Sequence, residues 1–445
     1  MKARLMSRRV MASALLAASL FLASGLAAEG YDTTGLNFAP GATASELNFA
    51  WFSSSAAKKP VVQIAKKADQ KGDAFPAAKA KSFSGVATKV VATQFNADDK
   101  VVVLDSYADK VTVTGLSGST DYVYRVGDGK VWSDAYALST RDPKAFSFYV
   151  VGDPQLGAKA SPTGPKTLDS DAAGWKDTLV KATTANPNAS FILSLGDQVN
   201  DYNKLDTQNA EYAAFFAPAQ LRSLPLVTVD GNHDFQMGEY YGYHYNQPNR
   251  SVSYGTSYGD DGDYWFVYGD ALYLLLNSNT QSIATHDVFI RDAVAKNPNA
   301  KWRIVCMHHS VYSEADHFAD PDIIDRRTNY PPVFERYKID VVLQGHDHSY
   351  TRTFPMLKGK PVEGFDAKAD SVTNPTGIVY FTFNSGSGSK FYDWHDAAPE
   401  VFSAVRWQGK VPSFSSISVD AGTFSVKTYR TDDMSLIDSF SIIKK

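Results

Sequence analysis

The largely apolar run Ile339-Asp340-Val341-Val342-Leu343 leads into Gln344-Gly345-His346-Asp347-His348-Ser349-Tyr350-Thr351-Arg352, and this stretch decides how the rest of the chain is read. A short apolar run closed by a glycine turn reads as a buried strand, and its end delivers two imidazoles into the turn. Histidines one residue apart in a turn can face two adjacent ions, and neutral imidazole is the commonest metal ligand. Taken alone, such a pair in a polar loop is more often solvated surface. The other strand ends decide between the two readings.

Working outward, the same pattern recurs. Residues 145–151 read as a buried strand ending at Gly152-Asp153-Pro154-Gln155, and residues 190–195 as one ending at Gly196-Asp197-Gln198-Val199-Asn200. Residues 226–229 end at Gly231-Asn232-His233-Asp234, and residues 302–307 at His308-His309. Between the first two lies a helix over 171–183, with Trp175, Leu179 and Ala182 on one face. Strands alternating with helices indicate an α/β domain, which places ligands at the carboxyl ends of adjacent strands. Each aspartate or asparagine alone would read as a turn-former; five such endings in succession are not chance. Residues 240–273, rich in tyrosine and glycine, read as an irregular sheet edge or pocket wall. Residues 413–443 supply further alternating strands.

Upstream the period changes to two. Leu47, Phe49 and Trp51 alternate with Asn48 and Ala50, and Val111 and Val113 with Thr112 and Thr114, as in a β-sandwich. The segment Gly115 to Val126 resembles the tyrosine corner of fibronectin type III-like domains, with Tyr122 as the tyrosine. Arg141-Asp142-Pro143 marks the boundary, giving an all-β sandwich over 29–142 and an α/β domain over 143–445. The sandwich shows no cluster of acids or histidines. Its lysine-rich stretch 66–81 reads as a solvated loop, and its role as orienting or presenting the second domain.

At the start, Lys2, Arg4, Arg8 and Arg9 precede an apolar run over 10–22 and small-residue cleavage sites, so residues 1–28 read as a secretory signal peptide. The expected location is therefore secreted or on the cell-envelope exterior, with no transmembrane anchor in the mature chain. Removing four positive charges and no acids takes the formal charge from -4 to -8. A mildly acidic protein has no general affinity for nucleic acid or anionic membranes, so a bound phosphate must be held by a local positive site. The single cysteine, Cys306, lies within an apolar strand and reads as a buried small hydrophobe.

The ordered set G-D-x-x, G-D-x-x-x, G-N-H-D, x-x-H and G-H-x-H is similar to the calcineurin-like metallophosphoesterase superfamily. With the preceding sandwich and the string Gly345 to Arg352, the chain most resembles its purple acid phosphatase branch. The resemblance implies a two-sheet αββα catalytic domain and a site for two metal ions. It implies Asp197 as the bridging ligand, Asp153 and His348 on the first metal, and Asn232, His308 and His346 on the second. Two divalent ions against two carboxylates leave a positive surplus for a phosphate, and a water activated between the ions would attack phosphorus. His233 matches a histidine that stabilises the transition state or protonates the leaving oxygen, with Asp234 available to orient its ring. His317 is similar in position to a second substrate-side histidine. Arg352 is assigned to substrate phosphate or, alternatively, to bracing the loop through a carboxylate; His309 is placed behind the ligands or against substrate.

Two departures bear on the metals. Asn200 stands where purple acid phosphatases have the tyrosine whose phenolate binds ferric iron, and Gln155 stands where other branches have a ligand histidine. Both are carried as candidate ligands offering neutral oxygen. A ferric-tyrosinate centre is not expected, and the pair is expected to be divalent: manganese, iron, zinc or magnesium. The expected function is an exported metal-dependent phosphoesterase acting on a small-molecule or surface phosphoester. The alternative is a cell-surface binding or adhesion protein with a degenerate phosphoesterase domain.

Overall fold

The computed structural model describes residues 31 and 33–445 apart from 55–58, 95–99, 160–167, 236–237 and 257–261; the leader expected over 1–28 lies outside the described residues. Period-two alternation builds the first domain as two four-stranded sheets. One has the order β1 (Thr34–Pro40), β2 (Leu47–Ser53), β6 (Lys100–Val113), β5 (Val86–Gln94); the other β4 (Lys81–Ser84), β3 (Val61–Lys66), β7 (Asp121–Gly127), β8 (Tyr136–Ser139). Their inward residues Phe38, Phe49, Trp51, Val62, Ile64, Tyr124 and Val126 form one apolar core. The Tyr122 hydroxyl accepts the Ser117 amide at 2.9 Å, the upstream backbone contact expected of it. Lys66, Lys67, Lys71, Lys79 and Lys81 are exposed.

The second domain stacks two seven-stranded mixed sheets. The first runs β11 (Leu226–Thr228), β10 (Ile192–Ser194), β9 (Phe146–Val151), β22 (Ser413–Val419), β23 (Thr423–Arg430), β24 (Leu436–Ile443), β19 (Ser371–Thr373). The second runs β12 (Tyr264–Tyr268), β13 (Ala271–Leu276), β14 (Trp302–Met307), β15 (Val341–Gln344), β20 (Val379–Thr382), β16 (Tyr350–Thr353), β21 (Ser403–Trp407). A small hairpin, β17 (Met356–Leu357) with β18 (Lys360–Pro361), stands apart. Phe148, Phe191, Tyr273, Ile304, Cys306 and Phe381 interleave between the sheets, and burial raises the Cys306 thiol far above its ordinary value.

Helices cover both outer faces. Trp175, Leu179 and Ala182 of α1 (Leu168–Ala185) and Phe215 of α2 (Leu205–Phe216) pack against Tyr149, Ile192 and Leu226 of the first sheet. After the short α3 (Tyr240–His244), Phe289 and Ile290 of α4 (Ile283–Lys296) and Tyr330 and Phe334 of α5 (Pro321–Arg336) cover the second. The architecture is thus a β-sandwich followed by an αββα domain. The two are joined by Asn246, whose amide donates to the Phe49 and Val111 carbonyls, and by Arg222, which donates to the Leu36 carbonyl.

As expected of a two-sheet domain, the five strand ends come from both sheets: β9, β10 and β11 are parallel neighbours in the first, and β14 and β15 are parallel neighbours in the second. The break comes from the tyrosine-rich stretch, which forms the antiparallel pair β12 and β13 and starts the new sheet. Stacking brings the two sets of ends together at one rim.

Candidate metal centre

Each strand end delivers its side chain through an abrupt turn. Asp153, Gln155, Asp197, His346 and His348 all have positive φ, from 29° to 71°, a region that non-glycine residues seldom enter and that clusters at functional sites. Gly196, at φ 95°, lets the backbone pass so close that a Cβ there would lie 2.4 Å from His308 Nδ1. At Gly231 a Cβ would lie 2.1 Å from the Asp197 amide nitrogen and 2.2 Å from its Oδ1. The loops are therefore pressed together by residues that have no side chain.

Two groups of buried ligand atoms result, Asp197 with His308 and His346, and Asp153 with Asp197 and His348, each within 4.8 Å. Asp197 belongs to both. His308 Nδ1 donates to the Leu195 carbonyl at 2.8 Å, so its Nε2 carries the lone pair, yet Nε2 faces Asn232 Oδ1 at 2.9 Å, His346 Nδ1 at 3.1 Å and Asp197 Oδ1 at 3.4 Å. His348 Nδ1 likewise donates to the Lys390 carbonyl at 2.9 Å, leaving Nε2 toward Asp153 at 3.8 Å. The Gln155 side-chain oxygen is buried with no hydrogen-bond partner. Acceptors converging on acceptors, beside an orphaned oxygen, are the donor set that a cation pair satisfies.

Electrostatics agree with this fit. Burial drives His308, His346 and His348 below the usual imidazole value, His348 to about 3, so the rings are neutral and competent to bind metal. Burial and the nearby Asp197 hold Asp153 well above the usual carboxylate value. Burial also opposes ionisation of Asp197, but His308 and His233 outweigh it and its value falls. Because ligands must shed protons to bind metal, loading chelator-treated protein is expected to release protons, with Asp153, whose carboxyl is held above the usual value, as their source. A pH-stat during zinc or manganese titration reads this directly. Binding also raises Tm, by the equivalent of about 2.7 kcal/mol at a hundredfold excess over Kd. No proton release and no Tm shift with any divalent ion would remove the assignment.

The remaining candidates fall in different places. His233 lies at the rim; its Nδ1 donates to the Asn200 carbonyl at 2.6 Å and its amide to Asp197 Oδ1 at 2.9 Å. Asp234 does not orient that ring. Consecutive turn residues diverge, and its buried carboxylate instead accepts the Gln198 and Gly231 amides at 3.1 and 3.0 Å. Asn200 joins the site through its main chain, with its amide held by Glu211 at 2.9 Å. His317 stacks on His346 at 4.0 Å, with Nδ1 held by Asp320 at 2.7 Å. His309 is buried behind His346, its Nδ1 on the Ser278 hydroxyl at 2.8 Å, and does not face a substrate.

Arg352 is not at the centre either. Its guanidinium pairs with Asp438 at 2.7 Å and lies 4.0 Å over the Phe440 ring, so the bracing alternative describes it. Removing one partner of a buried pair strands the other, so Arg352→Ala costs about 3–5 kcal/mol of stability. Denaturant unfolding measures that loss, while KM for a phosphoester stays unchanged.

Sequence reasoning missed Glu211, Ser278, Asp320, Asp347 and Tyr392. Tyr392 sets its ring 4.9 Å from His348 and 5.0 Å from His317, and burial with Asp197 and Asp153 raises its hydroxyl far above its ordinary value. Only Asp347, between two candidate ligands, had a local signal.

Residues 146–350 match the family described as calcineurin-like phosphoesterase, and residues 34–140 match the purple acid phosphatase N-terminal domain. Purple acid phosphatase 1 of Ipomoea batatas is 23% identical over 337 residues, covering 71% of this chain and 64% of that protein. An uncharacterized protein of Mycobacterium tuberculosis is 24% identical over 353 residues, covering 69% of this chain and 63% of its own length, so the chain spans just under two thirds of these relatives. The solved purple acid phosphatase of yellow lupin (Lupinus luteus) seeds superposes with a TM-score of 0.72 at 17% identity, over 93% of this chain and 75% of that one, and shares the fold. With both domain models matched in order and the candidate ligand loops converged, the chain carries a calcineurin-like phosphoesterase domain preceded by a purple acid phosphatase N-terminal domain.

Proposed function

We propose that the chain is an exported, metal-dependent phosphoesterase that hydrolyses phosphomonoesters or phosphodiesters. The observation that carries this reading is the membership of Asp197 in both clusters of ligand atoms, since one carboxylate can hold two cations. Two divalent ions of the manganese, iron(II), zinc or magnesium class supply, when bound, a nucleophilic water at neutral pH and charge neutralisation for the phosphoryl oxygens. The chain's own groups do the rest. Asn232, His308, His346 and Gln155 add no negative charge, so a positive surplus draws in the phosphoester anion.

His233 is fixed by its Nδ1 bond to Asn200, which turns Nε2 to the free side of the ring. From there it meets an oxygen of the ester, with the Tyr202 ring 5.2 Å away on the same rim. His317 stands on the His346 side of the centre and meets the same substrate from another direction. Asn200 in place of a phenolate supports a pair of divalent ions and no ferric-tyrosinate colour. Export rests on the basic and apolar leader within residues 1–28; among the described residues no helix is long and apolar enough to cross a membrane.

The test is an assay of the mature protein after loading with each of the four metals, using aryl phosphate mono- and diesters, with bound metal counted in parallel. Metal-dependent turnover lost on chelation is expected. Protein that binds two ions and turns over neither ester with any metal would overturn the enzyme reading in favour of a binding or adhesion protein.

A further inference from the structure

We propose that Asp347, the residue between the two histidines of the G-H-x-H turn, is a positioning residue that sets His317 against the substrate. This rests on the reading of the centre as a phosphoesterase site. Asp347 is fully buried, and its carboxylate binds the backbone of the loop that follows β14. There it accepts the Glu314 amide at 3.0 Å, the Ala315 amide at 2.8 Å and the His317 amide at 3.4 Å. One carboxylate thus gathers three amides of the segment that carries His317, as an anion in a backbone nest does.

The consequence is a fixed relation between two loops that sequence places 30 residues apart. His346 and His348 flank Asp347 and point to the centre, while His317, tied through Asp347, lays its ring on His346 at 24°. Asp320 then takes Nδ1, so Nε2 is the free ring atom. Among the described residues the segment 314–318 is also held from outside, where His395 donates its amide to the Glu314 carbonyl at 3.1 Å and stacks on Phe318 at 3.7 Å. Those contacts keep the segment folded when Asp347 is altered. What Asp347 adds is register between the segment and the ligand turn.

Asp347→Asn keeps the volume but, in either orientation, turns an NH2 toward an N–H that the carboxylate accepts. A double-mutant cycle separates the roles. In metal-loaded protein Asp347→Asn is expected to lower kcat/KM for an aryl phosphate by about 10–100-fold, the range for partners that orient a site residue. Two ions per chain should remain bound. Added to His317→Ala, Asp347→Asn should cost nothing more. Losses that multiply, loss of a metal, or unchanged kcat/KM in the single variant would each overturn the proposal. Hydrogen exchange gives a readout independent of turnover: the Glu314 and Ala315 amides should exchange faster in Asp347→Asn, and unchanged protection would overturn it. If the wild-type protein turns over no ester, the phosphoesterase reading fails while hydrogen exchange still decides whether the clamp exists.

Discussion

Asp197→Asn is expected to abolish ester hydrolysis, lowering kcat/KM by about a thousandfold or more, as a group that holds both cations is the hardest to replace. The reason is local. Asp197 sits in both ligand clusters, with one carboxylate oxygen 3.4 Å from His308 Nε2 and also accepting the His233 amide at 2.9 Å. An amide keeps the shape and one acceptor, so the turn survives. It removes the second anionic oxygen, so the one ligand that two cations would share is lost. Metal content should fall from two ions to one or none while circular dichroism and Tm of the chelator-treated protein stay at wild-type values. Wild-type turnover in that variant would remove the bridging role of Asp197.

The second large effect comes from a residue with no functional group. Gly231→Ala places a methyl against the Asp197 backbone nitrogen and Oδ1, both within 2.2 Å of the added atom. Neither can retreat without moving the carboxylate. Overpacking of this kind costs about 1–3 kcal/mol, and a misplacement near 1 Å in a catalytic group costs about a hundredfold in rate. The expected result is a folded, mildly destabilised protein with weakened metal binding and kcat/KM reduced by that factor. Full activity in Gly231→Ala would mean that the loops are looser than their approach implies.

How much of this was legible in the sequence follows from what each residue does. β14 was readable because five of its six residues are apolar, Arg303 being the exception, and the run stops at His308, and both domain types followed from the change of period near residue 142. The histidines and aspartates at the strand ends were readable because polar ligand types after buried strands are conspicuous. What failed was adjacency. Asp234 follows His233 in the chain, yet the turn sends the two side chains to different partners. The role of Arg352 depended on Asp438, 86 residues away on β24, and no local pattern names such a partner. Helix α2 was missed because its buried face mixes Gln208 and Glu211 with Tyr212 and Phe215, so apolar periodicity is weak there. The carboxylate of Glu211 nevertheless holds the Asn200 and Asp201 amides.

The left-handed backbone of Asp153, Gln155, Asp197, His346 and His348 bears on how such a domain changes over evolutionary time. Each non-glycine residue held there costs of order 1–3 kcal/mol, which the surrounding hydrogen bonds must offset. Exchange of any one of them for glycine would relax its backbone and remove its side chain from the candidate centre in a single step. Change that rewards stability alone therefore runs downhill toward a domain of the same fold that has lost these side chains from its rim.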